Sequence, residues 1–186
     1  ASIDFSAGRD LVTKNVEAEI GTIGSVGGGS ARIGFFAERD VNAGNLEAIA
    51  GESFGSARVN VFSGRNLKVK NIDAEAFGTG SGSYGGANAR ISLDAFSGID
   101  AMNLTASAQS GSASTDAETT NGPLKTLGLK AWSDDSFAGI ALEGNTTGSA
   151  TTVDGPVAVS LHPAQLTASA LHGTRNGAAD LPAPRY

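Results

Sequence analysis

Four asparagines are the most regularly placed polar residues of the sequence. Each lies twelve residues after the first apolar position of a repeated segment, and each is followed by an aliphatic residue and, two positions after that, by alanine. These asparagines are Asn15, Asn45, Asn71 and Asn103. Amide side chains stacked at the spacing of neighbouring strands can hydrogen-bond from one strand to the next. The pattern predicts a structural ladder or a series of turns, with ligand binding as the alternative.

Arginines recur at two further positions of the same segments. One set, a candidate binding stripe on the surface, consists of Arg9, Arg39 and Arg65, and the other consists of Arg32, Arg58 and Arg90. Like charges about 4.8 Å apart repel by about 0.9 kcal/mol even in bulk water, so acidic residues such as Asp10 and Asp40 must offset them. The expected arrangement is alternating basic and acidic stripes on a solvated face. The alternative is that the arginine stripe binds acidic glycans or the carboxylates of a neighbouring subunit.

Residues that could carry catalysis or hold a metal ion are sparse. Asp134 and Asp135 form the only adjacent pair of acidic residues, and His162 and His172 are the only histidines. A zinc site needs ligands at short, regular spacings, which two histidines ten residues apart do not provide. The chain has no cysteine, which excludes a disulfide framework. The sequence therefore predicts no catalytic residue, no metal site and no cofactor.

The polar residues belong to a repeat in which apolar and polar positions alternate. Period two places successive side chains on opposite faces of a β-strand, whereas a helix requires a period near 3.6. Since no single copy can bury its own apolar face, the copies must stack about 4.8 Å apart. Three apolar positions then define three columns of the predicted core. The columns are Ile3, Ile33, Val59 and Ile91; Leu11, Val41, Leu67 and Ile99; and Val16, Leu46, Ile72 and Leu104.

The connections between copies vary in length and are rich in glycine and serine. Constant segments separated by elastic connections are typical of a solenoid, because stacked strands must match and outward loops need not. We therefore expect an all-β fold, a single-stranded parallel β-helix of five to six coils, with Gly/Ser-rich loops and a right-handed sense. The 186 residues form one domain. It comprises regular repeats in 1–108, degenerate coils in 109–175 and a tail or cap in 176–186.

Beyond about residue 120 the repeat is less regular. The run 127–131 resembles the first strand of a fifth coil, and 137–142 resembles the rest of that coil. The segment 109–122 then reads as a long loop. The run 166–170 repeats 104–108 residue for residue, which indicates a sixth coil.

The composition limits the class of partner. Acidic residues outnumber basic ones by 19 to 13, which gives a net charge of −6, whereas nucleic-acid binding normally requires clustered lysine and arginine. No apolar run approaches the roughly 18 residues of a membrane-spanning helix. We therefore expect neither a nucleic-acid partner nor a membrane span.

Three phrases of the repeat carry a family resemblance. They are Ala-Gly-Arg-Asp-Leu at 7–11, Ala-Glu-Arg-Asp-Val at 37–41 and Ser-Gly-Arg-Asn-Leu at 63–67, each followed by the Asn-aliphatic-x-Ala step. Over residues 1–108 the sequence resembles the repeats of filamentous haemagglutinin-like exoproteins, the large secreted passengers of two-partner secretion. The resemblance implies a parallel β-helix, export through an outer-membrane partner, and adhesion, haemagglutination or contact-dependent competition.

The combined expectation is a non-enzymatic structural or adhesive module of a bacterial surface or secreted protein, located outside the cell. Its expected partners are glycans or proteins of host or bacterial surfaces, or further copies of itself stacked end to end into fibres. The alternative is a β-helix domain that binds or degrades polysaccharides, since such scaffolds can present carboxylates and basic residues on one outer face.

Overall fold

The computed structural model of the chain consists of β-strands and their connections. It describes residues 1–21, 28–51, 54–78, 86–109, 111–133, 138–146, 148–149, 157–162 and 166–167. These ranges contain no helix, and therefore none that could cross a membrane. Their strands are β1 (Ser2–Ala7), β2 (Leu11–Val12), β3 (Val16–Ile20), β4 (Ser30–Ala37), β5 (Val41–Ala50), β6 (Ser56–Ser63), β7 (Asn66–Ala76), β8 (Asn88–Ala95), β9 (Gly98–Ala108), β10 (Ala113–Ser133), β11 (Ala138–Thr146), β12 (Gly148–Ser149), β13 (Val157–His162) and β14 (Leu166–Thr167).

The strands form three parallel stacks around one core, and the chain adds a segment to each stack as it completes a coil. The first stack contains β1, β4, β6, β8, the start of β10, β11 and β13, in that order. The second stack contains β2 and the starts of β5, β7 and β9, and the third contains β3 and the ends of the same strands. β10 continues through all three stacks. This arrangement confirms an all-β parallel solenoid, with about five turns.

The coils are residues 2–20, 30–50, 56–76, 88–108 and 113–133, numbered here coil 1 to coil 5, and β11 begins the next one. The strand register places equivalent residues of successive coils in line along the axis. Leu11 lies opposite Val41, Val41 opposite Leu67, and Leu67 opposite Ile99. The columns that begin at Ile3 and Val16 are aligned in the same way.

These columns are the centre of the hydrophobic core. In coils 2 to 4 their members are almost completely buried, and full burial of such an aliphatic side chain contributes roughly 1.5–3 kcal/mol. Alanines pack beside them where the strands approach a corner, as at Ala48, Ala74 and Ala106, which are also buried. The apolar residues of the period-two alternation thus fill one interior that the coils share.

Coil 5 differs from the sequence-based interpretation. Residues 113–119 pair with β8 and form its first-stack strand, whereas 128–133 pair with β9 in the third stack. Residues 138–142 pair with the start of β10 and begin the next coil. The interpretation of 109–122 as a loop and of 127–131 as a first strand is therefore wrong. The reason is that coil 5 places Thr115 and Ala117 where coil 4 has Ile91 and Leu93, so its first strand lacks the large aliphatic signal.

The outermost described rung is coil 1. β1 pairs with β4 on one side, and no other described strand pairs with its second edge. The side chain of Phe5 is 45% exposed, while Phe35 and Val61, which follow it in the same inward column, are each 3% exposed. The Phe5 ring contacts the Phe35 ring edge to face, with centroids 5.4 Å apart. Within this column the exposed fraction therefore falls from coil 1 to coils 2 and 3.

Several sequence-predicted features lie outside the described residues. They are Asp134, Asp135, His172, the run 168–170 and the predicted tail 176–186. Leu166 and Thr167 form β14, which pairs with β12.

Candidate functional site

The asparagine column lies at the corner between the second and third stacks. The Nδ2 of Asn71 donates to the Oδ1 of Asn45 at 2.9 Å, and the Nδ2 of Asn103 donates to the Oδ1 of Asn71 at 2.8 Å. At the coil 1 end, the Oδ1 of Asn15 accepts the backbone N–H of Asn45 at 3.2 Å. The column ends at coil 5, where Gly128 lies opposite Asn103. The amides hydrogen-bond along the solenoid axis, which is the geometry of a structural ladder.

Glycine at position 44 lets the chain turn tightly at this corner. A Cβ atom on Gly44 would overlap the carbonyl carbon and oxygen of Lys14 and would lie 2.8 Å from the Oδ1 of Asn15. Any side chain there would push coils 1 and 2 apart beside the ladder. The asparagines and Gly44 therefore form one close-packed corner.

The first arginine set lies at the corner between the first and second stacks. The backbone N–H of Arg39 donates to the carbonyl of Arg9 at 3.2 Å, and that of Arg65 donates to the carbonyl of Arg39 at 2.8 Å. The Nε of Arg39 lies 3.5 Å from the Oδ1 of Asp10 in an exposed ion pair. The structure thus brings the three arginines into file and gives the central one an acidic neighbour.

Asp40 is held in a second ladder at the same corner. Its Oδ1 accepts hydrogen bonds from the backbone N–H of Asn66 at 3.1 Å and from the Nδ2 of Asn66 at 3.0 Å. Desolvation works to raise the pKa of Asp40, but the two bonds from Asn66 and the charges of Arg65 and Arg39 outweigh it and lower the pKa of this carboxyl group from its usual value. The carboxylate is therefore kept ionised as a partner for the arginine stripe.

Acidic side chains are concentrated on the outer face of the third stack. Glu47 lies opposite Asp73, and Glu75 follows two residues later on the same strand. Partial burial and the charges of Asp73 and Glu47 raise the pKa of Glu75, and Lys130 opposes them only in part. Among the residues that the structure describes, no three His, Cys, Asp or Glu side chains are grouped so as to hold a metal ion.

A groove of about 410 Å³ runs over the outer face of the first stack. Its floor is the outward column of Asp4, Gly34, Asn60 and Ser92, and one wall is the next outward column of Ser6, Phe36, Phe62 and Asp94. The floor side chains are small or polar, and the wall contains two aromatic rings. We call this surface the first-stack groove.

The aromatic wall is a stacked pair. The Phe36 and Phe62 rings have centroids 5.1 Å apart and planes within 8° of parallel. They remain 46% and 39% exposed, although large apolar side chains on a sheet face are usually covered. Within their column the neighbours are polar, Ser6 before Phe36 and Asp94 after Phe62. Within this column the exposed aromatic surface is thus confined to coils 2 and 3.

The second arginine set lies beside the floor of the groove. The Nε of Arg32 is 3.7 Å from the Oδ1 of Asp4, and the Nη2 of Arg90 is 3.0 Å from the Oδ2 of Asp116. The Nε of Arg58, between them, donates to the Oγ of Ser56 at 3.1 Å. Of these arginines, Arg32 lines the groove directly.

Sequence reasoning selected the asparagines and arginines but missed Phe36, Phe62, Asn60, Ser92 and Asp94. These side chains occupy outward positions, where the residue type changes from coil to coil, so no repeat marks them. One signal was available in the adjacent pair Phe35–Phe36. Because neighbouring residues of a strand face opposite ways, one of the two had to point outward.

No family model matches the chain, and comparisons with curated proteins and with solved structures gave no match either.

Proposed function

We propose that this chain is a non-enzymatic structural and adhesive module of a secreted or surface-exposed bacterial protein, which extends by end-to-end stacking of its coils. The observation that carries the proposal is the parallel, in-register pairing of successive coils, in which equivalent residues lie opposite one another from coil to coil. A rung built in this way can pair with an equivalent rung of a second copy, as it pairs with its neighbours along the chain.

The polar residues at the corners support a structural role. The asparagines hydrogen-bond to one another along the axis, and Asp40 binds Asn66 of the next coil. Such ladders join coils, whereas a catalytic centre requires side chains that converge on one point. The resemblance of residues 1–108 to filamentous haemagglutinin-like repeats agrees with this role and with an extracellular location.

Sedimentation velocity and electron microscopy of the purified chain test the proposal. We expect rods that lengthen as the protein concentration rises, and we expect Phe5→Glu to prevent this association because it places a charge in the inward column of coil 1, opposite Phe35. Val12→Glu is the matched control, since Val12 belongs to the same coil but points outward with 76% of its side chain exposed. A wild-type chain that stays monomeric at every concentration, or equal effects of the two variants, would contradict end-to-end stacking.

A further inference from the structure

We infer that the first-stack groove binds an extended, uncharged polysaccharide through the hydroxyl groups and apolar faces of its sugars; this deepens the adhesive part of the proposed function and rests on it.

The shape of the groove suits a segment of a longer polymer. Its lining begins at Asp4 on coil 1 and continues to Ser92 and Asp94 on coil 4. That distance is three rung spacings, or roughly 14 Å along the axis. Its volume of about 410 Å³ falls within the range of small-molecule sites. The groove follows the solenoid axis over successive coils, which suits an extended chain of sugars.

The lining combines the two kinds of contact that a sugar offers. A sugar hydroxyl both donates and accepts, and the groove provides a donor in Arg32, an acceptor in the Asp94 carboxylate, and both in the Asn60 amide and the Ser92 hydroxyl. The C–H groups of a sugar ring are apolar and can pack against the exposed Phe36 and Phe62 rings. Polar floor and aromatic wall therefore run side by side along the same axis.

The charges of the lining favour an uncharged chain over an acidic one. Among the described residues, Arg32 is the only cationic one that lines the groove, and its charge is already offset by Asp4. Asp94 has no ion pair among the residues that the structure describes. A polyanion would thus meet an uncompensated carboxylate next to the aromatic wall, whereas a hydroxyl group can donate to it.

Over coils 2 to 4 the backbone of the groove is not available to a peptide. β4, β6 and β8 each pair with a parallel strand on both sides. A peptide that adds a strand needs a free sheet edge, where it obtains most of its affinity from main-chain hydrogen bonds. At this face the side chains alone must hold the ligand, which favours a ligand with many hydroxyl groups.

Isothermal titration of the full chain with defined probes tests the inference. The uncharged probes are the hexasaccharides cellohexaose, maltohexaose and mannohexaose, and the comparison probes are hexagalacturonate, hexaglutamate and hexalysine. We expect at least one uncharged hexasaccharide to bind, with a Kd that changes less than about twofold between roughly 0.05 and 0.5 M salt, because no ion pair forms. We expect no binding of the charged probes under the same conditions.

Two groove variants and one control assign the binding to this surface. Phe62→Ser and Asp94→Asn should each weaken binding about tenfold or more, which corresponds to about 1.4 kcal/mol. Phe77→Ser is the control, because Phe77 is also an exposed phenylalanine but follows β7 at the end of the third stack. Circular dichroism of each variant checks that the fold is retained, as expected for outward positions.

Failure of this inference and failure of the stacking proposal give different experimental results. The inference is overturned if no uncharged hexasaccharide binds, if hexagalacturonate or either peptide binds in preference, or if Phe77→Ser weakens binding as much as Phe62→Ser. A chain that forms rods but binds none of the sugars would overturn this inference and leave the stacking proposal intact. Sugar binding by a chain that never forms rods would contradict the stacking proposal and leave this inference intact.

Discussion

Two buried threonines of β10 differ in whether the side-chain hydroxyl has a hydrogen-bond partner. The Oγ1 of Thr119 donates to the carbonyl of Gly122 at 2.7 Å. The Oγ1 of Thr115 is buried and has no hydrogen-bond partner among the residues that the structure describes. A buried polar group without a partner costs about 1–3 kcal/mol, whereas a satisfied one contributes about 1 kcal/mol.

Replacement of these threonines by the isosteric valine should therefore have opposite effects. We expect Thr115→Val to raise the free energy of unfolding by about 1 kcal/mol, because it removes an unpaired hydroxyl from a column of aliphatic side chains. Thr119→Val should lower it by about 1 kcal/mol, because the carbonyl of Gly122 loses its donor. Urea denaturation of both variants measures the difference, and a shift in the same direction for both would refute the assignment.

Thr115 also explains why the first strand of coil 5 was not predicted from the sequence. Thr115 lies between Ile91 and Ile140 in the first column. A hydroxyl residue at a core position removes the apolar signal on which the recognition of that strand depended. Leu127 and Leu129 then resembled part of a first strand, although Leu127 is exposed and Leu129 pairs with Leu104 in the third stack. Only the pairing partners of β10 resolve this.

At the scale of the element, the asparagine corner joins neighbouring coils through side chains as well as backbone. Asn71 has the central place, since its Nδ2 donates to Asn45 and its Oδ1 accepts from Asn103. Each hydrogen bond contributes about 0.5–1.5 kcal/mol net. A substitution of Asn71 should therefore weaken its contacts with both adjacent coils.

Asn71→Ala should lower the free energy of unfolding by about 1–3 kcal/mol, because it removes two hydrogen bonds between coils. Asn42→Ala provides the control. Asn42 is exposed in the second stack and makes no side-chain hydrogen bond within the described part of the chain. Thermal unfolding followed by circular dichroism compares them, and equal losses of stability would argue against a ladder that stabilises the fold.

The elements differ in how far the sequence could predict them. The asparagines and the inward aliphatic residues recur because every coil must match its neighbours, so periodicity alone indicates their positions. The outward columns of the first stack are under no such requirement, and their residues change from Ser6 to Phe36 to Asp94. The groove arises from neighbouring outward side chains that share no pattern, and it becomes visible only with the register.

At the scale of the whole molecule, stability arises from contacts between successive coils. Each coil of a solenoid contacts its neighbours only, so the stability is close to a sum of coil and interface terms. The pairing of Arg58 with Arg90 and of Val59 with Ile91 shows that coils 3 and 4 present equivalent positions to their neighbours. Coil 4 should therefore be able to take the place of coil 3 on coil 2.

This equivalence predicts the outcome of two deletions that differ by one residue. Deletion of 59–90 joins Arg58 to Ile91, which then occupies the inward position of Val59. We expect this shortened chain to unfold cooperatively, with a smaller dependence of the free energy on urea because less surface is exposed. Deletion of 59–91 places Ser92 at that position and reverses the facing of the strand. It should not fold cooperatively, and similar urea transitions for both would refute the register.

The constant register also bears on how such a chain could change during evolution. Unequal recombination between two copies of the repeat removes or adds one period wherever the crossover falls, so its breakpoints need not respect the boundaries of strands. The product has one rung fewer or more and still obeys the same alternation. Gene length would then vary in units of a coil, while further insertions would survive at the connections between stacks, as does the one extra residue that coil 5 carries between Thr119 and Leu124.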